Sequence, residues 1–267
     1  MTTLSPDQLE HARNVAEAAA AQAGELLLQH LGRLDPSAIR SKSEARDLVT
    51  AADVAAERLL VQRLRDAFPD HAIEAEEEVQ DPADDRPRWF LDPLDGTVNF
   101  VHGLPAFGVS MGLFDASGPA VAALVFPRLG ETFVAVRGGG ATLNGSPIHV
   151  SSTQDLGSAV IATGFPYKRD TLANPNLGNF NRFVLRVRGI RRMGSAALDL
   201  AYVAAGRMDG YWELHLSPHD MAGGALLVLE AGGRVTDAEG GQDWLRAGHI
   251  VAAGPKLHGA ILGDIEV

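Results

Sequence analysis

The 267-residue chain is long enough to bury a hydrophobic core in one large domain or two modest ones. It carries 34 acidic and 23 basic residues, a formal net charge of −11, which argues against general nucleic-acid binding because that activity needs a basic face. It has no cysteine, which excludes disulfides, a thiol nucleophile and a thiolate metal site.

The N-terminus does not resemble a secretory signal, since the first basic residue is Arg13 and no basic segment precedes an apolar one. The longest purely apolar run, about residues 120–126, is far shorter than a membrane span. We therefore expect a cytoplasmic protein that does not enter a membrane.

The N-terminal part of the chain predicts two helices. The first begins at Ser5, with Pro6 in its first turn and Gln8 completing a capping box, and has its C-cap at Gly32. The second runs from about residue 50 to 67 and ends at the Phe-Pro pair that follows.

From residue 88 to 150 the pattern changes to strands and turns. The segments "RWFLD", "GVSMGLF", "PAVAALVFP" and "ETFVAVRG" read as strands separated by glycine, proline or charge. The pair Asn144-Gly145 then predicts a hairpin turn.

After about Gly157, strands alternate with helices. The segments "SAVIATG", "IRRMG", "DGYWEL" and "GRVTD" predict strands, and helices are expected before Arg186, over 195–205 and over 218–230. The fold class is therefore mixed α and β. The change of pattern near 150–157 suggests two subdomains, about 1–152 and 153–267, packed as one unit of 267 residues.

Acidic residues form four clusters along the chain: Asp47 with Asp53, Glu76 to Glu78, Asp92 with Asp95, and Asp220 alone. Each cluster has an ordinary structural explanation. Asp53 and Asp220 stand where helices begin and would favour those ends. The glutamates could be a solvated surface, and the Asp92–Asp95 pair could form a turn.

The pair Asp92 and Asp95 fits the turn explanation least well, because both flanks look buried and burying an unpaired carboxylate is costly. Arg86 and Arg88 are the only basic residues nearby. Clustered carboxylates suit Mg²⁺ or Mn²⁺, and two such ions can clamp both oxygens of a phosphoryl transfer. A hydroxyl just beyond them, that of Thr97, could orient a water molecule.

These segments together resemble a known family. The stretches "DPLDGTVNF", "AEEE", "DLVTAAD", "GSAALDLAYVAAGRMDGYWE" and "HDMAGGALLVLEAGG" keep the order and spacing found in the inositol monophosphatase family, from about residue 10 to 255. Its members are Mg²⁺-dependent, lithium-sensitive phosphatases. The resemblance implies a layered α–β–α–β–α sandwich and a homodimer.

The resemblance also implies roles for individual residues. The metal ligands would be Glu76, Asp92, Asp95, Asp220 and the backbone carbonyl of Leu94, around two or three Mg²⁺ ions for which Mn²⁺ could substitute. Glu77 would lie close to these ions. Asp53 and Thr97 match the positions that orient the nucleophilic water, and Glu76 is counted with them among the catalytic residues.

The same resemblance assigns the substrate contacts. Gly96 and Thr97 match the phosphate-binding turn, and the residues expected to hold the rest of the substrate are Asp95, Gly194, Ser195, Ala196, Glu213 and Asp220. Two positions depart from the family pattern. Ala75 replaces the usual glycine before the paired glutamates, and His219 stands where tryptophan is common, with a packing role expected.

The predicted activity is Mg²⁺-dependent hydrolysis of a phosphate monoester, with inositol 1-phosphate favoured. Fructose 1,6-bisphosphate, histidinol phosphate and a 3′-phosphonucleotide are alternative substrates. A regulatory or RNA-polymerase-binding role is another alternative, for which the basic residues Arg182, Arg186, Arg188, Arg191 and Arg192 could serve, although a dimer interface or solubility would also explain them.

Two other readings of the acidic motif fail on spacing. A haloacid-dehalogenase-type phosphatase would place a single residue between its two aspartates, whereas Asp92 and Asp95 are separated by two. An EF-hand loop would need acidic groups at alternate positions.

Overall fold

The computed structural model describes residues 2–33, 40–41 and 48–267, so Asp47 of the first acidic cluster lies outside it. The chain begins with helix α1 (Pro6–His30), followed by the short paired strands β1 (Arg40–Ser41) and β2 (Leu48–Val49) and by helix α2 (Ala51–Ala67).

The predicted capping box of α1 is confirmed. Gln8 donates its backbone N–H to Ser5 Oγ, and Ser5 donates its own to Gln8 Oε1 at 2.8 Å. The C-cap prediction is wrong by one residue: Leu31 is the C-cap, and Gly32 follows it in the left-handed region at φ +72°. Glycine is favoured there because that backbone conformation strains a side chain.

A seven-stranded sheet follows in the order β3 to β9. Its strands are β3 (Ala72–Ala75), β4 (Arg88–Asp95), β5 (Gly108–Asp115), β6 (Gly118–Phe126), β7 (Glu131–Val136), β8 (Gly140–Leu143) and β9 (Ser146–Pro147). The first pair is parallel and the others are antiparallel. The predicted hairpin at Asn144-Gly145 joins the last two strands, with both residues at positive φ.

A five-stranded sheet occupies the C-terminal half in the order β11-β10-β12-β14-β13. Its strands are β10 (Val160–Thr163), β11 (Gly189–Arg191), β12 (Gly210–Leu214), β13 (Arg234–Thr236) and β14 (His249–Ala253). β10 is parallel to both neighbours, whereas β14 is antiparallel to both of its own.

Six further helices complete the described part of the chain. They are α3 (Thr97–Val101), α4 (Leu177–Val184), α5 (Ala196–Ala204), α6 (Pro218–Glu230), α7 (Trp244–Ala247) and α8 (His258–Leu262). The prediction for α6 is confirmed to the residue, and α5 lies within the predicted 195–205.

The elements stack as five layers. Helices α1 and α2 cover one face of the seven-stranded sheet, α5 and α6 fill the space between the two sheets, and α4 and α8 cover the outer face of the five-stranded sheet. The layered α–β–α–β–α sandwich is therefore confirmed. The subdomain boundary near residue 152 stays a prediction. None of the helices within the described ranges combines the length and the apolar composition that a membrane span needs.

Candidate active site

The predicted acidic pair lies at a bulge in β4. Asp92 pairs with Ser110 of β5, and Asp95 pairs with Gly108. Between these two pairs, β4 advances by three residues and β5 by only two, so β4 contains one extra residue. In a regular strand, residues three apart point to opposite faces, and one extra residue restores them to the same face. The bulge also frees the Leu94 N–H from the ladder, and it donates to Asp92 Oδ1 at 3.0 Å.

Asp95 faces the N-terminal end of α5. Its Oδ2 accepts hydrogen bonds from Ser195 Oγ at 2.5 Å and from the backbone N–H of Ala197 at 2.8 Å. Ser195 is also the N-cap of α5. The positive end of a helix favours a carboxylate at this point, so α5 fixes one oxygen of Asp95.

Gly96 turns the chain immediately after the bulge. Its φ is +88°, and a Cβ at this position would lie 2.7 Å from the Ala106 carbonyl oxygen. Glycine is therefore required for both conformation and space. The turn starts α3, whose Asn99 donates through Nδ2 to the carbonyls of Ala106 and Met193 at 2.6 and 2.9 Å. The motif "DGTVN" is thereby held against the segment before α5.

Thr97 and Asp53 meet on the other side of this turn. Thr97 Oγ1 lies 3.1 Å from Asp53 Oδ1 and 3.1 Å from the Leu94 carbonyl oxygen, and its single proton can be donated to either. Asp53 Oδ2 accepts from the backbone N–H and the hydroxyl of Thr50 at 2.9 and 2.6 Å. Asp53 therefore caps α2, as expected for an aspartate at the start of a helix. It also contacts Thr97, its predicted partner in orienting the water.

The paired glutamates occupy the turn that follows β3. Glu78 forms a two-pronged ion pair with Arg58 at 2.8 and 2.9 Å, which accounts for that glutamate as part of the solvated surface. Ala75, which replaces the family glycine, is not at positive φ, so the substitution introduces no backbone strain.

Asp220 occupies the first turn of α6. Its Oδ2 accepts the backbone N–H of Ser217 at 2.6 Å. His219 lies beside it, with Nε2 3.8 Å from Asp220 Oδ1. His219 also lines the cavity described next, and its side chain is 14% exposed. Its expected packing role stays a prediction.

A cavity of about 310 Å³ joins these elements. Seven of the predicted site residues line it: Glu76, Asp95, Gly194, Ser195, Ala196, Glu213 and Asp220. The other five do not, namely Asp53, Asp92, Leu94, Gly96 and Thr97. Asp92 is nevertheless linked to the cavity because its side chain hydrogen-bonds to Glu76.

Tyr167 also lines the cavity, and it belongs to the segment 166–179, which the sequence predicts to shape the leaving-group pocket. Four further lining residues were not assigned to the site from the sequence: Asp199, Arg192, His215 and Phe165. Asp199 carried a signal, since it is the single acidic residue in the apolar helix "AALDLAYVA". Its Oδ1 is buried without a hydrogen-bond partner. His215 and Phe165 carried no local signal that separates them from ordinary loop residues.

Glu213 of β12 also lines the cavity. Tyr211 donates its hydroxyl to Glu213 Oε2 at 2.5 Å. A Cβ on Gly164 would lie 2.1 Å from the same carboxylate oxygen, so only glycine leaves room for this side chain. Glu213 is 8% exposed and is therefore an acid enclosed by protein but open to the cavity.

Burial and mutual repulsion raise the pKa values of the carboxyls on the bulge. The pKa of Asp92 is raised well above its ordinary range by burial and then by the charges of Glu76 and Asp95. The pKa of Asp95 is raised to about 7, chiefly by burial. The hydrogen bond from Ser195 lowers this pKa in part, and the charge of Asp220 raises it further. Both groups favour a bound proton or a cation at neutral pH.

Three further buried acids also have raised pKa values. Burial raises the pKa of Asp53 to about 6 and that of Glu213 to about 7, although hydrogen bonds from Thr50 and Tyr211 lower both in part. Burial, together with the charge of Glu213, raises the pKa of Asp199. The basic residues near the motif do not relieve this, because Arg86 pairs with Asp84 and Arg88 with backbone carbonyls.

The donor chemistry of these residues fits a hard divalent cation. Every candidate ligand is an oxygen, and three carboxylates have one oxygen fixed by the protein: Asp92 by Leu94, Asp95 by α5 and Asp220 by Ser217. In the described ranges, no three His, Asp or Glu side chains are already arranged closely enough to hold an ion. Binding of an ion would therefore require some of these ligands to move closer together.

The chain is similar in sequence to known proteins over nearly its whole length. A sequence model of the inositol monophosphatase family matches residues 8–266. The chain is 45% identical over 259 residues to a Pseudomonas aeruginosa protein named Nus factor SuhB, covering 95% of each sequence.

Two solved structures are similar over nearly their whole length. The extragenic suppressor protein SuhB from Bartonella henselae is 40% identical with a TM-score of 0.87, and the match covers 95% of this chain and 97% of that one. The inositol monophosphatase of Anabaena is 38% identical, also with a TM-score of 0.87, over 96% and 95% of the two chains.

Proposed function

This chain belongs to the inositol monophosphatase family, and we propose on that basis that it is a Mg²⁺-dependent phosphate monoester hydrolase. The observation that carries the proposal is the cavity that Glu76, Asp95 and Asp220 line together, although they come from three separate parts of the chain. Carboxylates brought together at raised pKa values are suited to a divalent cation.

The residues proposed to hold the ions are Glu76, Asp92, Asp95, Asp220 and the carbonyl of Leu94. Bound Mg²⁺ would lower the pKa of a water molecule and neutralise charge on the phosphate oxygens. Mn²⁺, which prefers the same oxygen ligands, is the proposed substitute.

Asp53 and Thr97 are the proposed water-orienting pair. When Thr97 donates its proton to Asp53 or Leu94, the lone pairs of its oxygen are left to accept a hydrogen from the attacking water. Asp53, with its pKa raised to about 6, can take up a proton near neutral pH.

The proposed substrate is a polyol phosphate such as inositol 1-phosphate. The phosphate would lie at the Gly96–Thr97 turn and the metal ligands, and the leaving group would extend toward Glu213 and the Gly194–Ala196 segment. Buried carboxylates and backbone groups at that end accept and donate hydrogen bonds to hydroxyls. The name of the Anabaena enzyme supports this substrate class.

A panel of phosphate esters tests the proposal. Purified protein is assayed with inositol 1-phosphate, fructose 1,6-bisphosphate, histidinol phosphate and a 3′-phosphonucleotide, with Mg²⁺, with chelator, and with Mg²⁺ plus Li⁺. We expect Mg²⁺-dependent, lithium-inhibited release of phosphate, fastest for the inositol ester. The absence of turnover on every ester with either Mg²⁺ or Mn²⁺ would refute the proposed activity.

A regulatory role is the second candidate, because the Pseudomonas relative at 45% identity is named a Nus factor. The two functions can be separated with Asp95→Asn. If this variant binds RNA polymerase as the wild-type protein does while its hydrolytic activity is lost, the chain has both roles. If neither protein binds the polymerase, the regulatory candidate is rejected.

A further inference from the structure

His215 lies at the mouth of the cavity in a backbone conformation that most side chains avoid. It connects β12 to α6 with φ at +63°. Within the described residues, the only other non-glycine positions at positive φ are Asn144 and Asn176, and asparagine is the side chain that tolerates this region best. A strained residue persists where surrounding contacts hold it, and such residues concentrate at functional sites.

Two contacts hold His215. Its Nε2 lies 2.9 Å from the carbonyl oxygen of Asn174, and because a carbonyl only accepts, Nε2 carries the proton and donates it. The backbone N–H of His215 donates to Nδ1 of His249 at 3.2 Å, and the two rings pack edge to face with their centroids 5.1 Å apart. His215 thus connects the start of β14 to the segment that precedes α4.

The segment 165–176, which His215 contacts at Asn174, begins in the wall of the cavity. Phe165, Pro166 and Tyr167 line the cavity together with His215 itself. The far end of the segment is fixed by buried Asn176, which donates to Thr163 Oγ1 at 2.8 Å and accepts from Trp212 Nε1 at 2.8 Å. Asn174 lies just before that anchor, so the histidine contact restrains the segment at the point where it leaves the buried anchor for the cavity.

We propose that His215 is a positioning and specificity-determining residue. It holds the segment 165–174, so that the first three residues of that segment form the wall against which the leaving group of the phosphate ester lies. The role in specificity rests on the proposed function, because it needs a substrate in the cavity. With the wall fixed, a compact leaving group contacts it and a bulky one is hindered. Without His215 the wall can move outward, which weakens binding of the compact ester and admits the bulky one.

The first experiment does not depend on activity. Hydrogen exchange of peptides covering 165–174 is compared in wild type, His215→Gly and His215→Asn, where glycine removes both ring and strain and asparagine tolerates the backbone with a shorter donor. We expect exchange in this segment to rise about five- to tenfold in His215→Gly, the change that loss of one hydrogen bond produces, with other peptides unchanged. Asn144→Gly, which relieves positive φ at a remote hairpin, is the matched control.

The second experiment measures kcat and KM for inositol 1-phosphate and for a bulky aryl phosphate. We expect His215→Gly to raise KM for the compact ester more than it lowers kcat, and to shift the ratio of the two kcat/KM values toward the bulky ester about fivefold. Unchanged exchange in the glycine variant overturns the anchoring role, and an unchanged ratio overturns the specificity role. If wild type hydrolyses neither ester, the specificity role is overturned, the four-ester panel decides the proposed function, and exchange alone still decides the anchoring.

Discussion

The carboxylate of Glu57 in α2 accepts the backbone N–H of Glu77 at 2.7 Å, across the turn that carries the paired glutamates. The same carboxylate accepts the backbone N–H groups of Glu78 and Val79 at 2.6 and 3.0 Å, and the residue is fully buried. Three hydrogen bonds to one charged group fix the turn that follows β3. The turn that carries Glu76 to the cavity is therefore held in place by a side chain of helix α2.

Glu57→Gln should destabilise the protein by roughly 2–4 kcal/mol, because the amide offers one acceptor oxygen and turns a donor toward backbone N–H groups that remain buried. Stabilisation by Mg²⁺ should also decrease, since Glu76 loses its support. Urea unfolding with and without Mg²⁺ measures both effects. Glu25→Gln, on the exposed face of α1, is the control and should change stability by less than about 0.5 kcal/mol. Equal stability of the two variants would show that the Glu57 contacts are unimportant.

Asp92→Asn should have opposite effects with and without metal. The folded-state pKa of Asp92 is raised above its ordinary value, so ionised Asp92 destabilises the folded protein at pH 8. In chelator we therefore expect the asparagine variant to be more stable than wild type. Its Oδ1 can still accept from the Leu94 N–H.

In Mg²⁺ the order should reverse. Wild type at a hundredfold excess of ion over its Kd gains about 2.7 kcal/mol, and the variant should gain much less. Turnover should decrease by more than the ~10–100-fold typical of residues that only support a metal ligand. Thermal unfolding at both conditions gives the comparison, with exposed Asp70→Asn as control. A variant that Mg²⁺ stabilises as strongly as wild type would remove Asp92 from the ligand set.

Asp53→Asn distinguishes the capping role of Asp53 from its catalytic one. We expect kcat to decrease about 10²–10⁴-fold, the usual contribution of a positioned base, and Thr97→Val to produce a smaller decrease because it removes the hydroxyl but leaves the carboxylate. Ser5→Ala, which removes the N-cap of α1 far from the cavity, is the stability control and should cost about 1 kcal/mol without changing kcat. If Asp53→Asn behaves like Ser5→Ala, Asp53 is only a helix cap.

The features that could be predicted from the sequence depend on neighbours along the chain. Ser5 with Gln8 predicts a capping box, and Pro218 with Asp220 predicts the start of α6, because helix capping involves residues within one turn. The aspartates of β4 were identified for a similar reason: Asp92 and Asp95 lie in a buried apolar run without local cations.

The features that were missed depend on contacts between distant elements. Glu57 looks like one more polar residue of an amphipathic helix, and nothing in its own segment reveals that its carboxylate reaches the turn after β3. The conformation of His215 is likewise set by Asn174 and His249. Strand β14 was not predicted, although it is a short apolar run between two glycines. Its position in the sheet depends on antiparallel pairing with both β12 and β13.

Glu213→Gln tests the environment at the leaving-group end of the cavity. Burial raises the pKa of Glu213 in the folded protein to about 7, above its ordinary value of 4.5. Between these pH values the folded state holds a proton that the unfolded state has released, so stability is greatest below pH 4.5 and is lost as the pH rises through 7. Glutamine imitates the protonated acid and still accepts from the Tyr211 hydroxyl.

Relative to Glu213→Gln, wild type in chelator should therefore lose up to about 3 kcal/mol of stability between pH 4.5 and 8. Unfolding in urea across this range measures the difference, and Glu10→Gln on exposed α1 provides a curve parallel to wild type. If the Glu213→Gln curve is also parallel to wild type, the pKa of Glu213 in the folded protein is not raised above its ordinary value and its carboxylate is solvated. The cavity would then present a full negative charge to the substrate at neutral pH, in place of a partly protonated acid that can donate a hydrogen bond to a hydroxyl oxygen.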